Sequence, residues 1–230
     1  MSSENILVLG STGASGLAFL QEVLPVPDGP KLSLLVRNKS KLPQDLIEKY
    51  NDKVIIVEGG LNDEDKLDQV MKGVTTVVSF LGAYMSLTYL ITRAKPTPIG
   101  ESFHLIKRVM QKHGVKRLLA LSTPAHPVAG ENYTWSQYLT TKILPPIMVP
   151  QGSAEMDKIA EVCADEQFEY TIFRVPHLTE GSKDLKVAAG LYGPDFKGTQ
   201  QLSRKSLAKW VFEETQQKNW IRKQPALGNY

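Results

Sequence analysis

The sequence predicts an α/β fold built on a doubly wound parallel sheet with helices on both faces. Short uninterrupted apolar runs recur along the chain, and segments with helical spacing of apolar residues stand between them. Parallel strands read as such runs because helices cover both faces of their sheet. The first run is followed by a glycine-rich turn and a helical stretch, which indicates the start of a βαβ unit.

Six strands alternate with six helices in this prediction. The strands are expected at Ile6–Leu9, Leu32–Val36, Val54–Val57, Val74–Leu81, Leu118–Leu121 and Tyr170–Arg174. The helices are expected at 14–24, 41–50, 63–72, 99–113, 153–164 and 203–217. Glu155 and Asp157 are expected in the first turn of the helix that begins at Ser153, where carboxylates suit the helix dipole. A further short strand is a candidate at Leu185–Ala189.

Two late regions break the alternation. Residues 123–152 contain five prolines and show no clean period, and residues 175–202 are irregular. Connections of this length in a compact domain usually serve as lids or binding loops. We therefore expect one domain over residues 1–230, with substrate-lobe or lid insertions at 123–152 and 175–202.

The composition is that of an ordinary globular protein. Of the 230 residues, 42% are hydrophobic and 22% are charged, and the net charge is only +3. This balance excludes a collagen, a disulfide-rich miniprotein and a disordered tail. Three pairs of neighbouring basic residues are interpreted as solvated surface charge rather than as a nucleic-acid-binding patch: Lys116/Arg117, Arg204/Lys205 and Arg222/Lys223.

Further observations bear on location, metals and partners. Cys163 is the only cysteine, so no internal disulfide can form, and the N-terminal residues do not have the pattern of a signal peptide. Residues 73–92 carry no charge, but they include six serine and threonine residues, and their β-branched start and Gly82 indicate a buried strand and a loop rather than a membrane span. His104 and His113 fall on different faces of one helix, so no metal site is expected. We expect a cytoplasmic monomer or homodimer that acts on a small molecule, with no nucleic-acid or membrane partner.

The turn after the first strand has the spacing of a phosphate-binding loop. Gly10, Gly13 and Gly16 stand in a segment that follows the first predicted strand and opens the predicted helix at 14–24. Glycine permits a tight turn and lets backbone N–H groups approach a pyrophosphate, and the helix N-terminus adds positive potential for that anion. The sequence therefore predicts a dinucleotide-binding crevice.

The end of the second strand bears on which dinucleotide is bound. NAD-binding units place an Asp or Glu there to hold the ribose hydroxyls. This chain has Arg37 instead, with Lys41 close behind it. A guanidinium can hold a 2′-phosphate by charge-assisted hydrogen bonds, so the sequence favours NADP(H) over NAD(H).

The chain resembles atypical short-chain dehydrogenases/reductases of the NAD(P)H-binding, NmrA-like type, whose fold is the Rossmann fold. The resemblance rests on the glycine turn and on Leu-Val-Arg37-Asn-Lys-Ser-Lys41, Glu58-Gly-Gly60-Leu, Ser79-Phe-Leu-Gly82, Leu121-Ser-Thr-Pro124 and Arg174-Val-Pro-His177. These matches run in order from residue 5 to about residue 178. The C-terminal segment that begins at Trp220 is similar to small fungal members.

The resemblance implies a role for each matching position. Thr12, Gly13, Ala14 and Ser15 hold the phosphates, while Arg37 and Lys41 take the 2′-phosphate. The other implied cofactor contacts are Gly60 and Leu61 at the adenine, Phe80, Leu81 and Gly82 at its ribose, and Ser122, Pro176 and His177 near the nicotinamide. Relatives often have Asp-Leu where this chain has Gly60-Leu61, and that difference removes an acceptor for the adenine amine.

Tyr138-Leu-Thr-Thr-Lys142 fits the Tyr-x-x-x-Lys pattern of the family. In that chemistry the lysine lowers the pKa of the tyrosine, the tyrosine hydroxyl transfers the proton, and a serine, here Ser122, steadies the carbonyl oxygen. Position argues against the pair, because Pro145 and Pro146 follow it and the helix at 153–164 contains no tyrosine. The alternative is a lid in which Tyr133, Trp135 and Tyr138 shape an aromatic pocket.

Hydride transfer does not require such a tetrad. Biliverdin-IXβ/flavin reductases resemble this layout, and there the cofactor does the chemistry while the proton can come from solvent. The resemblance then implies that Ser122, Thr123, His126 and His177 line the site. The sequence thus predicts an NADPH-dependent reductase of a carbonyl or a conjugated aromatic, quinone-like or flavin-like molecule. The alternative is a non-catalytic NADP(H)-sensing regulator of NmrA type, which would need an exposed apolar surface for a protein partner.

Overall fold

The computed structural model describes residues 4–83, 92 and 94–230. Ten strands lie in these ranges: β1 Asn5–Leu9, β2 Lys31–Val36, β3 Val54–Glu58, β4 Thr76–Ser79, β5 Arg117–Ser122, β6 Glu169–Arg174, β7 His177–Thr179, β8 Val187–Gly190, β9 Gln201–Ser203 and β10 Ala226–Asn229. Eight of them form one sheet in the order β3-β2-β1-β4-β5-β6-β10-β8, and β7 pairs with β9 separately. The predicted doubly wound α/β fold is confirmed.

Strands β1 to β6 are parallel to one another, and the order along the sheet reverses between β1 and β4. Ile6, for example, is paired with Leu32 of β2 on one side and with Thr76 of β4 on the other. Every residue of β1, β4 and β5 is buried, as expected for strands covered on both faces. In α/β sheets, ligands bind beyond the carboxyl ends of the strands at such a reversal.

Eight α-helices lie in the described ranges: α1 Ala14–Val23, α2 Gln44–Lys49, α3 Glu64–Val70, α4 Pro98–Lys112, α5 Trp135–Tyr138, α6 Leu144–Met148, α7 Pro150–Cys163 and α8 Arg204–Gln217. The Asp63 side chain accepts a hydrogen bond from the backbone N–H of Lys66 and so caps α3. Gly114, with φ of +69°, follows the end of α4 in the left-handed region that glycine tolerates.

The region 123–152, which sequence reasoning left without secondary structure, contains a nearly continuous helical segment. Helix α5 begins with a capping box between Thr134 and Gln137, and a π-helical turn over Leu139–Ile143 joins it to α6. Pro145 and Pro146 lie in the first turn of α6, the part of an α-helix where proline is best tolerated. Prolines that suggested a break therefore mark the start of a helix.

Helix α7 begins at Pro150, three residues before the predicted start. Glu155 and Asp157 are therefore not in its first turn, and the prediction that they serve its own dipole is wrong. The Glu155 carboxylate accepts a hydrogen bond from the backbone N–H of Gly100, in the first turn of α4, at 2.6 Å. The Asp157 carboxylate lies 2.5 Å from the Nδ1 atom of His126.

The last third of the chain contains more strand than expected. The candidate strand near residue 187 is present as β8, but β7, β9 and β10 were not predicted. Strand β10 extends the main sheet beside β6 and pairs antiparallel with β8. Its four residues are buried. Strands of three or four residues carry too few positions for a period-two pattern to be recognised.

Two of the arginines that enter this sheet are buried in ion pairs. Arg117 Nη2 lies 2.7 Å from Glu214 Oε1, and both side chains are 3% exposed. Arg174 Nη2 lies 2.6 Å from Glu131 Oε1, with side chains 0% and 1% exposed. The interpretation of Lys116/Arg117 as solvated charge is therefore wrong for Arg117.

The uncharged stretch 73–92 contains β4, and its residues 84–91 lie outside the described residues. In the described parts of the chain, no helix is both long and apolar enough to cross a membrane. The same residues contain no cluster of three or more His, Cys, Asp or Glu side chains that could hold a metal ion.

Candidate functional site

The turn between β1 and α1 packs so closely that two of its glycines are sterically required. Gly10 has φ of +80°, and a Cβ there would lie 3.0 Å from the carbonyl carbon of Phe80. A Cβ on Gly16 would lie 2.3 Å from the Gly10 carbonyl oxygen. Gly13 has room, because its Cβ would lie 3.4 Å from that oxygen. Glycine at positions 10 and 16 therefore allows the start of α1 to pack directly against the end of β1.

The N-terminus of α1 is open to a ligand. Gly13 stands at its N-cap position without a side-chain hydrogen bond, and its first turn contains no acidic residue. Gly13 and Ala14 are exposed, whereas Gly16 is buried. The first N–H groups of a helix have no intrahelical acceptor, so this end of α1 offers donors and positive potential to an anion.

A crevice of about 390 Å³ lies at the carboxyl ends of β1 to β4, beside this helix end. We call it the polar crevice. Its lining residues come from the glycine turn, from the ends of the first four strands and from α4 and α7: Gly10, Thr12, Leu35, Val36, Arg37, Gly59, Leu61, Asn62, Leu81, Pro98, Ile99, Gln151 and Glu155. Thr12, Arg37, Leu61 and Leu81 are thus brought together as the sequence predicted.

Arg37 lines this crevice and is exposed, and Lys41, four residues further on, is exposed as well. Arg37 follows β2 directly, and Lys41 belongs to a 3₁₀ turn over Lys39–Lys41. The Asn38 side chain accepts a hydrogen bond from the backbone N–H of Ser40 at 2.9 Å, which holds that turn in place. The crevice lining therefore contains the cation of Arg37 together with Gly10 and Thr12 of the glycine turn, whereas Lys41 is not among the lining residues.

Two polar residues of the crevice were not recognised from the sequence. The Glu155 side chain is almost fully buried, and burial raises the pKa of its carboxyl above the ordinary value. The Gln151 side-chain amide donates a hydrogen bond from Nε2 to Oε2 of Glu155 at 3.4 Å. The sequence predicted that Glu155 interacts with the dipole of its own helix. Nothing in the local sequence shows that α4 and α7 pack against each other, so its contact with Gly100 could not be predicted.

A second cavity, of about 590 Å³, lies beyond the ends of β5 and β6. We call it the apolar cavity, because most of its lining is aliphatic or proline: Ala83, Leu121, Pro124, Ala125, Pro145, Val149, Met156, Val175, Pro176 and Leu178. Its polar side chains are Thr123, Thr140, Thr141, Ser153, His177, Gln200 and Arg204. Helix α7 lines both spaces, with Gln151 and Glu155 toward the crevice and Ser153 and Met156 toward the cavity.

Three of the residues expected near the reacting centre line the apolar cavity, namely Thr123, Pro176 and His177. The Ser122 side chain does not, since it is fully buried and its hydroxyl donates to the Met156 carbonyl at 2.8 Å. His177 is exposed, and its backbone N–H donates to Gln200. The structure therefore brings Thr123 and His177 together and uses Ser122 to attach α7 to β5.

Of the remaining implied cofactor positions, Leu61 and Leu81 line the polar crevice, and Phe80, Gly60 and Gly82 do not. The Phe80 ring packs in the core between Phe19 and Phe173, with ring centroids 5.3 Å and 5.9 Å away, so its backbone rather than its ring is next to the glycine turn. Gly60 has open space where a Cβ would stand, and Gly82 lies near the Met156 sulfur.

Tyr138 and Lys142 lie on the helical segment 135–148 but do not line the apolar cavity. Tyr138 is 45% exposed, and its ring stacks on Trp135 at 6.3 Å. Lys142 Nζ instead donates to the carbonyls of Pro124 and Ala125, both at 2.9 Å. Burial lowers the pKa of Lys142 to about 8.

The aromatic residues of the lid contact one another rather than the apolar cavity. Tyr133 meets Tyr138 edge-on at 6.3 Å and stacks on Tyr192 at 5.7 Å, while Lys142 Nζ lies 4.9 Å from the centre of the Tyr133 ring. Trp135 is 73% exposed. The cluster thus anchors the lid to the loop after β8, and the cavity receives the opposite side of the lid through Thr140, Thr141 and Pro145.

His126 does not line the apolar cavity, although the three residues before it do. Its imidazole is held by Asp157, and its carbonyl accepts a hydrogen bond from Arg174 Nη1 at 3.2 Å. The contact with Asp157 on α7 and the hydrogen bond from Arg174 both hold the loop after β5 in place. The side chain of His126 therefore has a structural role in this loop.

The crevice, the open helix end and the switch point together have the form of a nucleotide-binding site, and the family comparison agrees. Residues 10–218 match the model of the NAD(P)H-binding family. The chain belongs to this family. None of the curated proteins is significantly similar to the chain in sequence.

Several solved protein structures share the fold of this chain. A short-chain dehydrogenase/reductase from Veillonella parvula in complex with NADP superposes with a TM-score of 0.73 at 20% identity, over 98% of this chain and 94% of that chain. A Rossmann-fold NAD(P)-binding family protein from Shigella flexneri has a TM-score of 0.67 at 20% identity, over 98% and 93%. ChuY, an anaerobilin reductase from Escherichia coli O157:H7, has a TM-score of 0.70 at 14% identity, over 97% and 96%.

The described residues fit the dinucleotide that gives the NAD(P)H-binding family its name. The cradle at Gly10 and Gly16 lets no side chain stand between β1 and α1, which leaves the N-terminus of α1 accessible. Ser11 contributes a buried hydroxyl with no hydrogen-bond partner among the described residues. The crevice extends from this cradle to Arg37 at the end of β2.

Arg204 is a residue of the apolar cavity that sequence reasoning missed. Arg204/Lys205 was interpreted as solvated charge, but Arg204 is the first residue of α8 and lines the cavity. Its side chain is 24% exposed. No local signal distinguishes this arginine from a surface one, because its position depends on β9 bringing the start of α8 beside β7.

Proposed function

We propose that the chain is an NADPH-dependent oxidoreductase that reduces a carbonyl or a conjugated small molecule by hydride transfer. The observation that carries this proposal is that one helix, α7, lines two neighbouring spaces. Its residues Gln151 and Glu155 line the polar crevice, which is suited to a dinucleotide, and its residues Ser153 and Met156 line the apolar cavity, which is suited to a substrate. The solved oxidoreductases with this fold, among them ChuY, support a redox role.

Each part of the site has a defined task in this proposal. Thr12 and the backbone N–H groups of Gly13, Ala14 and Ser15 bind the pyrophosphate. Arg37 and Lys41 bind the 2′-phosphate by charge-assisted hydrogen bonds. Leu61 and Leu81 contact the adenosine. When bound, the cofactor supplies the hydride.

The residues of the apolar cavity position the substrate and handle its proton. Thr123 donates a hydrogen bond to the substrate oxygen as negative charge develops there. His177 stands between cavity and solvent and passes a proton inward from bulk water. Leu121, Met156 and Val175 keep water away from the reacting carbon, which strengthens these polar contacts.

Replacing Arg37 tests the choice of cofactor. We expect wild-type protein to bind NADPH more tightly than NADH, and Arg37→Gln to weaken NADPH binding about 10–100-fold because the 2′-phosphate loses a charge-assisted hydrogen bond. NADH binding should change by less than about threefold. Fluorescence titration of both dinucleotides measures this, and Lys72→Gln, at an exposed lysine after α3, is the control. Equal losses for NADPH and NADH would contradict the assigned role.

Replacing Tyr138 tests whether the family tetrad operates. We expect Tyr138→Phe to keep NADPH-dependent turnover within about threefold, because the hydroxyl lies outside the apolar cavity. A general acid contributes about 10²–10⁴-fold, so a loss of that size would restore the Tyr138/Lys142 tetrad. Turnover is followed as NADPH oxidation with a panel of quinones, flavins and aldehydes. His177→Gln, assayed in parallel, should lower turnover more than Tyr138→Phe.

One observation favours the second candidate function, an NADP(H)-sensing regulator. The lid segment exposes Trp135, Ile147 and Met148 by 73%, 58% and 66%. Large exposed apolar side chains on one segment suit a protein partner. Tight NADPH binding without turnover on any member of the substrate panel would favour this function over the reductase.

A further inference from the structure

The polar side chains of the apolar cavity are not spread evenly. His177 begins β7, Gln200 precedes β9 and Arg204 begins α8, so these three come from neighbouring elements. Leu121, Met156 and Val175, from β5, α7 and the end of β6, supply aliphatic surface elsewhere in the cavity. His177, Gln200 and Arg204 therefore form one wall with a cation, while the hydroxyl side chains of Thr123, Thr140, Thr141 and Ser153 lie elsewhere in the cavity among its apolar residues.

Arg204 is the one permanently charged side chain among the described lining residues. It contacts the carboxylate of Glu180, but the two ends of this pair differ in environment. The Arg204 side chain is 24% exposed, whereas that of Glu180 is 74% exposed. An exposed carboxylate holds a cation weakly, because water and salt compete with the pair. Glu180 can therefore be exchanged for an anion that enters from the cavity.

We propose that the substrate of this site is an apolar molecule that carries an anionic group, a carboxylate or a sulfonate, and that Arg204 binds this group. The inference rests on the proposed function in taking the apolar cavity as the substrate site. The guanidinium offers parallel N–H donors that match a carboxylate or sulfonate. Gln200 adds a neutral polar side chain on the same wall, and the N-terminus of α8, a helix of 14 residues, adds positive potential.

Binding of the anionic group by Arg204 also determines how the substrate is oriented in the cavity. With the anionic group at Arg204, the apolar body lies against the aliphatic surface of Leu121, Met156 and Val175, and α7, which carries Met156, also lines the polar crevice. The reducible carbon of such a substrate then lies at the end away from its charge. A neutral analogue fills the same apolar surface but leaves Arg204 with Glu180 as its only anionic partner in the described part of the chain.

Two dyes of nearly the same apolar body test the proposal without any turnover. 1-Anilinonaphthalene-8-sulfonate carries the anion, and N-phenyl-1-naphthylamine lacks it. Fluorescence titration of both should give about tenfold tighter binding of the sulfonate to wild-type protein, and Arg204→Gln should reduce this ratio to near one. Arg204→Lys, which keeps the charge, should retain a preference of several-fold. A ratio that Arg204→Gln leaves unchanged would overturn the proposal.

Two further variants separate the site from bulk charge. Glu180→Gln should tighten sulfonate binding about two- to threefold, because it removes the competing carboxylate, and weaker binding would contradict the exchange. Arg222→Gln is the matched control, since Arg222 also pairs with an exposed glutamate, Glu166, but lies outside the apolar cavity. It should leave the ratio unchanged, and a change equal to that of Arg204→Gln would overturn the proposal. Absence of NADPH turnover with a retained anion preference would contradict the proposed function and not this inference.

Discussion

Replacing Gly16 by alanine is expected to abolish dinucleotide binding and to destabilise the fold. The new Cβ would lie 2.3 Å from the Gly10 carbonyl oxygen and 2.7 Å from the Ser11 Cα, and both are backbone atoms that cannot rotate away. Helix α1 must then move off the end of β1. We expect a loss of about 3 kcal/mol in the free energy of unfolding, the upper end of overpacking effects. NADPH affinity should fall at least about 100-fold, because the N–H groups at the start of α1 move with the helix.

Gly13→Ala is the matched control for this prediction. Its Cβ would have an ordinary contact of 3.4 Å, so stability should change by less than about 1 kcal/mol. NADPH binding should still weaken, because the added methyl group stands at the exposed turn where the pyrophosphate approaches. Urea unfolding and fluorescence titration separate the two effects. Wild-type stability in Gly16→Ala would show that the turn does not pack as described.

Replacing Glu131 by glutamine is expected to cost about 3–5 kcal/mol of stability at neutral pH, because it leaves the Arg174 guanidinium buried without its countercharge. Arg174 Nη2 lies 2.6 Å from Glu131 Oε1, and neither side chain is more than 1% exposed. Glu131 also accepts hydrogen bonds from the Tyr133 hydroxyl and the Tyr192 backbone N–H. The same variant should therefore loosen the lid and lower turnover.

The loss should depend on pH with a definite sign. Burial alone would raise the pKa of Glu131, but hydrogen bonds from Arg174 and Tyr133 outweigh burial and hold the pKa below its ordinary value. A carboxylate with a lowered folded-state pKa stabilises the fold above its ordinary pKa, and this stabilisation disappears as pH falls through the lowered value. The stability gap between wild type and Glu131→Gln should therefore narrow below about pH 4.

Glu213→Gln provides the control for this prediction. Glu213 pairs with Lys209 on the surface of α8 at 4.0 Å, and both side chains are nearly half exposed. Its loss should be below about 0.5 kcal/mol, as for exposed helical pairs. Denaturant unfolding at pH 7 and below pH 4 measures both variants. A Glu131→Gln protein as stable as Glu213→Gln would contradict the buried pair.

The polar crevice could be predicted because its determinants are local. The tight turn at Gly10 and Gly16, the helix that follows and Arg37 at the end of β2 all lie within one βαβ unit. Alternating strands and helices determine which strand ends meet, and Thr12, Leu61 and Leu81 accordingly line one crevice. The prediction for Ser122 overlooked the direction of a side chain on β5, which one residue of register reverses.

The apolar cavity could not be predicted in the same way. Pro145 and Pro146 suggested a break, because a proline in the interior of a helix interrupts it. A proline in the first turn does not, and sequence spacing alone does not distinguish the first turn from the interior. Arg117, Arg174 and Arg204 look alike as sequence. One is buried against Glu214, one is buried against Glu131 and one lines a cavity.

The sequence by itself determined the doubly wound sheet, the glycine cradle and the cationic end of the crevice, because each follows from hydrophobic period, backbone sterics or charge within a few residues. Only the tertiary structure decided which polar groups from distant parts of the chain line the polar crevice and the apolar cavity. Glu155, Gln200 and Arg204 acquire their surroundings from elements far away in sequence: α4 for the first, and the pairing of β7 with β9 for the other two. Long-range packing sets burial and partners, and these determine whether a charge is a surface group, a structural ion pair or a binding residue.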